Sequence, residues 1–202
     1  MIKIIIAITG ASGAIFGIRL LEILKDIDNV ETHLIISKSS NITIHCETQY
    51  KVSDIKLLAD YCYNVDDISS CLASGSFKMD GMIIAPCSIK TMSAIAHSYS
   101  DNLISRSADV ILKERKKLVL ILRETPLHLT HLRNMVMISE NGGIIYPPVP
   151  AFYSNPKNIN DLINHTLYRI LDLFSINNIE LKRWKGLSNK KGNPVSNSLY
   201  NY

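Results

Sequence analysis

The sequence predicts an α/β fold of three layers, in which a parallel sheet carries helices on both faces. Three observations carry that prediction. Apolar runs of strand length recur at residues 3–8, 30–37, 80–86 and 118–122, as expected of strands covered on both sides. Stretches with apolar residues at helical spacing separate them, so strand and helix alternate. Several strands also end in turns of small, hydroxyl-bearing residues, at the end of such a sheet where ligands gather.

The first unit is the clearest. Four of the first six residues are Ile, followed by a turn with Gly10, Ser12 and Gly13, then Ile15, Ile18, Leu20, Leu21 and Leu24 at helical spacing. A strand that turns sharply into a helix leaves unpaired N–H groups at the positive end of the helix dipole, an anion site most often used for phosphate. Gly10 and Gly13 let the backbone approach closely, and Ser12 adds a hydroxyl. An ordinary structural turn is the competing reading.

Residues 30–37 read as a second strand that ends in Ser37, Ser39 and Ser40; a helix through Ile42, Ile44 and Cys46 then carries Glu47 near its end. Residues 53–78 mix helix and loop and close on a flexible segment of small residues, 73–77. Residues 80–86 form a third strand. Cys87, Ser88 and Thr91 follow, then a helical pattern in Met92, Ile95 and Ala96, making a second hydroxyl-rich turn. Asp101 and Asn102 open a helix through Leu103, Ala108, Val110 and Leu112, with Arg106 and Lys113 on roughly one face. The strand at 118–122 presents Arg123 and Glu124 at its carboxyl end. Residues 128–138 read as helix and 142–146 as a short strand. Pro147, Pro148, Pro150 and Pro156 stiffen a loop around Phe152 and Tyr153, and a final helix spans 158–175 with Leu162, Ile163, Leu167, Ile170, Leu171 and Phe174 inward.

With 202 residues, 47% hydrophobic and 20% charged, the chain suits one well-buried domain and is short for two. The expected organisation is a single domain over 1–181 and a basic, polar tail over 182–202. A net charge of +4, with no Arg/Lys stripe interleaved with aromatics, gives no argument for nucleic acid as a partner. Cys46, Cys62, Cys71 and Cys87 show no paired spacing and read as free thiols of a reducing compartment. The N-terminal apolar run is short and β-branched, and a helical pattern continues through the supposed cleavage site, which argues against a signal peptide. No run approaches membrane-spanning length. A soluble, cytoplasmic protein without stable membrane insertion is expected.

The topology gathers Gly10 to Ser12, Ser37, Ser88 to Thr91, and Arg123 with Glu124 at one end of the sheet. Three hydroxyl-rich turns and an arginine suit a phosphate ester with a polar body, such as a nucleotide. Arg123 and Glu124, charged residues against a buried strand, are either an ion pair or functional. His128 and His131 miss the i, i+4 spacing of a metal pair and read as ordinary helix positions. Cys87 reads as a packed residue rather than a nucleophile. Tyr153 and Lys157 have the Tyr-x-x-x-Lys spacing of short-chain dehydrogenases. That chemistry needs the pair one helical turn apart, and Pro156 between them opposes a helix.

Together these residues resemble the flavin prenyltransferases of the UbiX type, within a wider superfamily of flavin-binding, homo-oligomeric decarboxylase-like proteins. The resemblance runs from Ile4 to about Trp184 and rests on an ordered set of stretches: 9–13, Ser37-Lys38, 73–76, 86–88 with Thr91, 101–103, 106–115, 123–127, 131–135 and 150–153. It implies a Rossmann-like (flavodoxin-like) sheet. It also implies an activity: transfer of a dimethylallyl group from dimethylallyl phosphate to N5 and C6 of reduced FMN. FMN is then a substrate, no metal is needed, and the prenylated FMN serves decarboxylases of the UbiD type, as in ubiquinone biosynthesis. A dodecamer built from trimers, with sites at subunit contacts, is implied as well.

By position, the resemblance implies that Gly10, Ala11, Ser12, Ser37, Ser88, Ile89, Lys90, Thr91 and Arg123 hold FMN. Tyr153 and Arg169 bind dimethylallyl phosphate, with Arg106, Lys113 and Glu124 lining its phosphate pocket. Glu124, Glu47 and Ser12 are the implied catalytic residues, Glu47 as an acid near the flavin that assists proton transfer. Ile68 stands where the bacterial pattern has Trp. Two alternatives stay open: an FMN-dependent cysteine-type decarboxylase on the same fold, which leaves the basic cluster without a role, and a non-catalytic flavin-binding protein.

Overall fold

In the computed structural model, which describes residues 1–176 and 183–184, six parallel strands form one sheet. They are β1 (Ile2–Ile8), β2 (Val30–Ile36), β3 (Tyr61–Tyr63), β4 (Gly81–Cys87), β5 (Lys117–Leu122) and β6 (Ile144–Ile145), in the order β3-β2-β1-β4-β5-β6. The helices are α1 (Ala14–Lys25), α2 (Ser40–Glu47), α3 (Val52–Lys56), α4 (Ile89–Ala96), α5 (Leu103–Lys113), α6 (Leu129–Glu140) and α7 (Ile159–Leu173). The order reverses between β1 and β4, so their carboxyl ends diverge into the crevice where such sheets take ligands.

The Ile-rich β1 is explained by burial on both faces. Ile4, Ile6 and Ile8 pack with α1 and α7 in one core, while Ile5 and Ala7 pack with α4 and α5 in the other. Its register with β2 runs unbroken from Ile2 opposite Val30 to Ile8 opposite Ile36. Gly17 lets α1 lie close to the sheet, since a Cβ there would collide with the Ala85 carbonyl and Ile8. Asn102 opens α5 with a capping box: its side chain accepts from Ile104 and Ser105 N–H while the Ser105 hydroxyl accepts from its own N–H.

The parallel three-layer fold is the one expected, with local departures. Residues 53–78 contain an edge strand, β3, besides helix and loop. Three residues are too few to show a period, and the strand exists through its pairing with His33, Leu34 and Ile35. The segment 73–77 is not the loose stretch its small residues suggest. It follows a 3-10 turn at Cys71–Ala73, and a Cβ at Gly75 would collide with Glu114 and Lys113. His128 caps α6 rather than lying inside it, accepting from Thr130 N–H at 3.2 Å. The expected tail at 182–202, and the boundary at 181, lie outside the described residues apart from Arg183 and Trp184. Arg183 is exposed, and its guanidinium pairs with Asp172 of α7 at 2.9 and 2.5 Å. Among the described residues no helix is long and apolar enough to cross a membrane.

Candidate functional site

The carboxyl-end turns are tied to one another by the backbone. Buried Thr9 donates its hydroxyl to Pro86 O at 2.7 Å and accepts from Ser88 N–H at 2.8 Å, joining the turn after β1 to the turn after β4. Ser37 N–H donates to Ile8 O, and Arg123 N–H to Cys87 O. The Arg123 side chain then reaches back, Nε to Ser12 O at 3.2 Å. Gly10 sits so close to Ser39 that a Cβ would collide with its side chain. Gly10, Ala11, Ser12, Ser37, Ser88 and Arg123 are thereby brought to one place.

The anion expected at the start of α1 is supplied by the protein itself. Glu47, at the end of α2, accepts from Gly13 N–H at 2.7 Å and Ala14 N–H at 3.4 Å, where the helix dipole favours a negative charge. Gly13 is the residue this turn requires, with φ of 100° in the left-handed region. The start of α4 remains open to a ligand. Ser88 caps it by accepting from Thr91 N–H at 3.3 Å, while the N–H groups of Ile89 and Lys90 have no partner among the described residues. The Lys90 ammonium is held by Asp101 at 2.6 Å, which keeps that carboxyl below its usual range. What Lys90 offers this turn is therefore its backbone. A close glycine turn, two open helix amides, four hydroxyls (Ser12, Ser37, Ser88, Thr91) and a guanidinium fit a phosphate-bearing flavin.

Arg123 and Glu124 do not pair with each other. Glu124 accepts from Thr125 N–H at 2.9 Å, and both side chains are exposed. Tyr153 lies in a 3-10 turn, its hydroxyl 3.3 Å from His165 Nε2 and its ring edge-on to Trp184 at 5.9 Å. Arg169 bonds Asp172 at 3.1 Å. Burial pushes the Tyr146 phenol up, with Arg169 acting against it and Tyr153 with it. Asn155, left-handed at φ 52°, and Pro156 separate Tyr153 from Lys157, so the dehydrogenase pair does not form.

Arg106 and Lys113 lie elsewhere in the chain. Arg106 Nε donates to Ala73 O at 3.1 Å and pairs with Asp109, while Lys113 pairs with Glu114 beside Gly75. That corner borders a 390 Å³ cavity lined by Lys3, Phe77, Asp80 and Lys116, at the amino ends of the strands. At about 3.3 Å per residue, the length of β5 sets Lys113 roughly 20 Å from Arg123. Within one chain Lys113 and Arg123 are not united.

Of the remaining candidates, Cys87 is buried and its thiol is pushed up, by burial foremost, as suits a packed residue. His128 and His131 stack at 3.5 Å. No group of three or more His, Cys, Asp or Glu among the described residues could hold a metal. The role of Thr9 was not visible in the sequence, because its partners lie 77 and 79 positions away.

A parallel sheet with joined, hydroxyl-rich turns at its switch point defines a nucleotide-type flavin binder. The sequence pattern of the Flavoprotein family matches residues 1–168, and the chain belongs to that family, among the UbiX flavin prenyltransferases. Its relatives include the flavin prenyltransferase UbiX of Escherichia coli (strain K12), 50% identical over 188 residues and covering 92% of this chain and all of that one. Two solved structures are close. One is a dodecameric FMN-dependent UbiX-like decarboxylase from Escherichia coli O157:H7, with TM-score 0.89 and 45% identity, covering 92% of this chain and 100% of that one. The other is AnUbiX (PadA1) in complex with FMN and dimethylallyl pyrophosphate, with TM-score 0.90 and 49% identity over 93% of this chain and 99% of that one.

Proposed function

We propose that this chain is a flavin prenyltransferase, moving the dimethylallyl group of dimethylallyl phosphate onto N5 and C6 of reduced FMN and releasing phosphate. One observation carries the reading: the turns after β1, β4 and β5 are locked together around open α4 amides and Arg123. Reduced FMN supplies the nucleophilic positions between which the new ring closes. In this reading Gly10, Ala11, Ser12, Ser37, Ser88, Ile89, Lys90, Thr91 and Arg123 hold the flavin, and its phosphate lies at the start of α4 because Glu47 fills the start of α1. Tyr153 and Arg169 bind the prenyl donor.

The allylic C–O bond breaks with its electron pair leaving on phosphate, so negative charge grows on the leaving group. Arg169 of one chain and Arg106 and Lys113 of a neighbour stabilise that charge; removing one such group typically costs about two to three powers of ten in rate. Glu124, Glu47 and Ser12 move protons at the flavin edge, and the departing phosphate carries one away. Much of the remaining catalysis is positioning. The assembly is a dodecamer, the compartment is the cytoplasm, and the product goes to a UbiD-type decarboxylase. No metal takes part.

The test is direct: protein, reduced FMN and dimethylallyl phosphate are mixed without oxygen and the flavin is analysed by mass spectrometry. A flavin heavier by one five-carbon unit, able to activate a flavin-free UbiD-type decarboxylase, is expected. An unmodified flavin, with turnover of a cysteine-ended peptide instead, would favour the decarboxylase reading.

A further inference from the structure

A polar chain with no part in the flavin site crosses the β3-β2-β1 side of the sheet, from Tyr63 at the end of β3 to Lys3 near the start of β1. Its hub is His33, in the middle of β2 and only 1% exposed. One ring nitrogen, Nε2, lies 2.8 Å from Glu31 Oε1, and the other, Nδ1, lies 2.9 Å from the Tyr63 hydroxyl. A carboxylate only accepts, so Nε2 carries the proton and Nδ1 accepts from Tyr63. The Cys71 thiol donates to the Tyr63 oxygen at 3.7 Å, and the Lys3 ammonium meets the same Glu31 Oε1 at 2.9 Å. The imidazole also stacks on Tyr61 at 4.9 Å and meets the edge of Phe77 at 5.7 Å, with the Lys3 ammonium 5.6 Å from the Phe77 ring centre.

One buried ring therefore pins both ends of the segment 71–77, Cys71 through Tyr63 and Phe77 directly. The middle of that segment meets two cations. Ala73 O accepts from Arg106, and Gly75 lies against Lys113. On its other side the segment borders the 390 Å³ cavity through Leu72, Ser74, Gly75 and Phe77. Leu72 is buried in the core, with Ala73 and Phe77 packed against it, and the polar pins add direction to that packing.

We infer that His33 and Tyr63 are positioning residues for the prenyl donor: they hold segment 71–77 so that Ala73 and Gly75 aim Arg106 and Lys113 at the phosphate. This rests on the proposed transferase activity, and it adds residues that lie outside both ligand sites. Loss of the tether weakens donor binding and spares the flavin.

Tyr63→Phe keeps the ring and removes the hydroxyl. The expected result is a KM for dimethylallyl phosphate raised about fivefold, the scale of one lost hydrogen bond, with kcat and the FMN dissociation constant at wild-type values. Amide hydrogen exchange across 73–77 should quicken in the same variant. An unchanged KM, or a raised KM accompanied by losses of kcat and of FMN affinity, overturns the inference. Tyr63→Trp, which also lacks the hydroxyl, is the second variant should Tyr63→Phe not fold. If wild-type protein makes no prenylated flavin, the proposed activity fails separately. Exchange then decides the tether alone, faster exchange at 73–77 supporting it and unchanged exchange refuting it.

Discussion

Glu47 shows how a single side chain redirects the site. Its carboxylate neutralises the exposed amides of Gly13 and Ala14, so it acts as a cap donated by another helix. Glu47→Ala should lower stability by about 1 kcal/mol, the usual cost of a lost N-terminal cap, read by denaturant unfolding without flavin. His33 gives a second prediction. Burial holds its pKa below the usual 6.5, outweighing the hydrogen bond to Glu31 that acts the other way. The unfolded chain thus takes up a proton near pH 6.5 that the folded chain refuses. The stability this neutral imidazole contributes is present above that pH and is lost as pH falls through the lower folded value. The melting temperature should drop between pH 7 and 5, and His33→Phe should flatten that slope in a thermal scan. The sequence singled out Arg123 and Glu124 as either an ion pair or functional, and the two exposed side chains do not pair with each other. It could not show that Arg123 turns to Ser12, 111 positions away, because contact order is invisible in a local pattern.

At the level of elements, legibility followed burial. Helices α1, α5 and α7 present continuous buried faces, and their periodicity was plain. By contrast α6 buries only Asn134 and Ile138, leaves Leu129, Leu132 and Val136 exposed, and reads weakly. β3 had no signal of its own, since tertiary pairing creates it. The contact of α1 with the sheet depends on Gly17, a requirement set by tertiary packing that no local pattern displays. Gly17→Ala must push a methyl into the Ala85 carbonyl and Ile8. The backbone cannot yield as a flexible side chain would. The variant should lose about 1–3 kcal/mol, as overpacked positions do, measured by chemical denaturation. A gain in stability there, the normal result of replacing a helix glycine, would mean that α1 stands farther from β4.

On the scale of the whole molecule, a site that uses both Lys113 and Glu124, as proposed, draws on the two ends of the sheet. Arg123, Ser12 and Glu124 belong to the carboxyl ends, whereas Lys113 closes the helix that returns to the amino ends. No side-chain motion spans the roughly 20 Å set by strand length. If all serve one phosphate, two chains must meet with opposite ends of their sheets together, as a head-to-tail contact that closes into a ring allows. The exposed Leu129, Leu132 and Val136 of α6, together with Phe152, offer apolar surface suited to burial in such a contact. This division predicts complementation. Lys113→Ala and Glu124→Gln should each abolish most turnover alone, since every site then lacks one group. When the two proteins are unfolded, mixed in equal amounts and reassembled, random pairing gives about a quarter of the sites one intact contribution from each chain. Activity should rise to about that fraction of wild type, measured as prenylated flavin formed per chain, with FMN bound throughout. A site built within one chain gives no recovery at any mixing ratio, because no chain carries both intact residues.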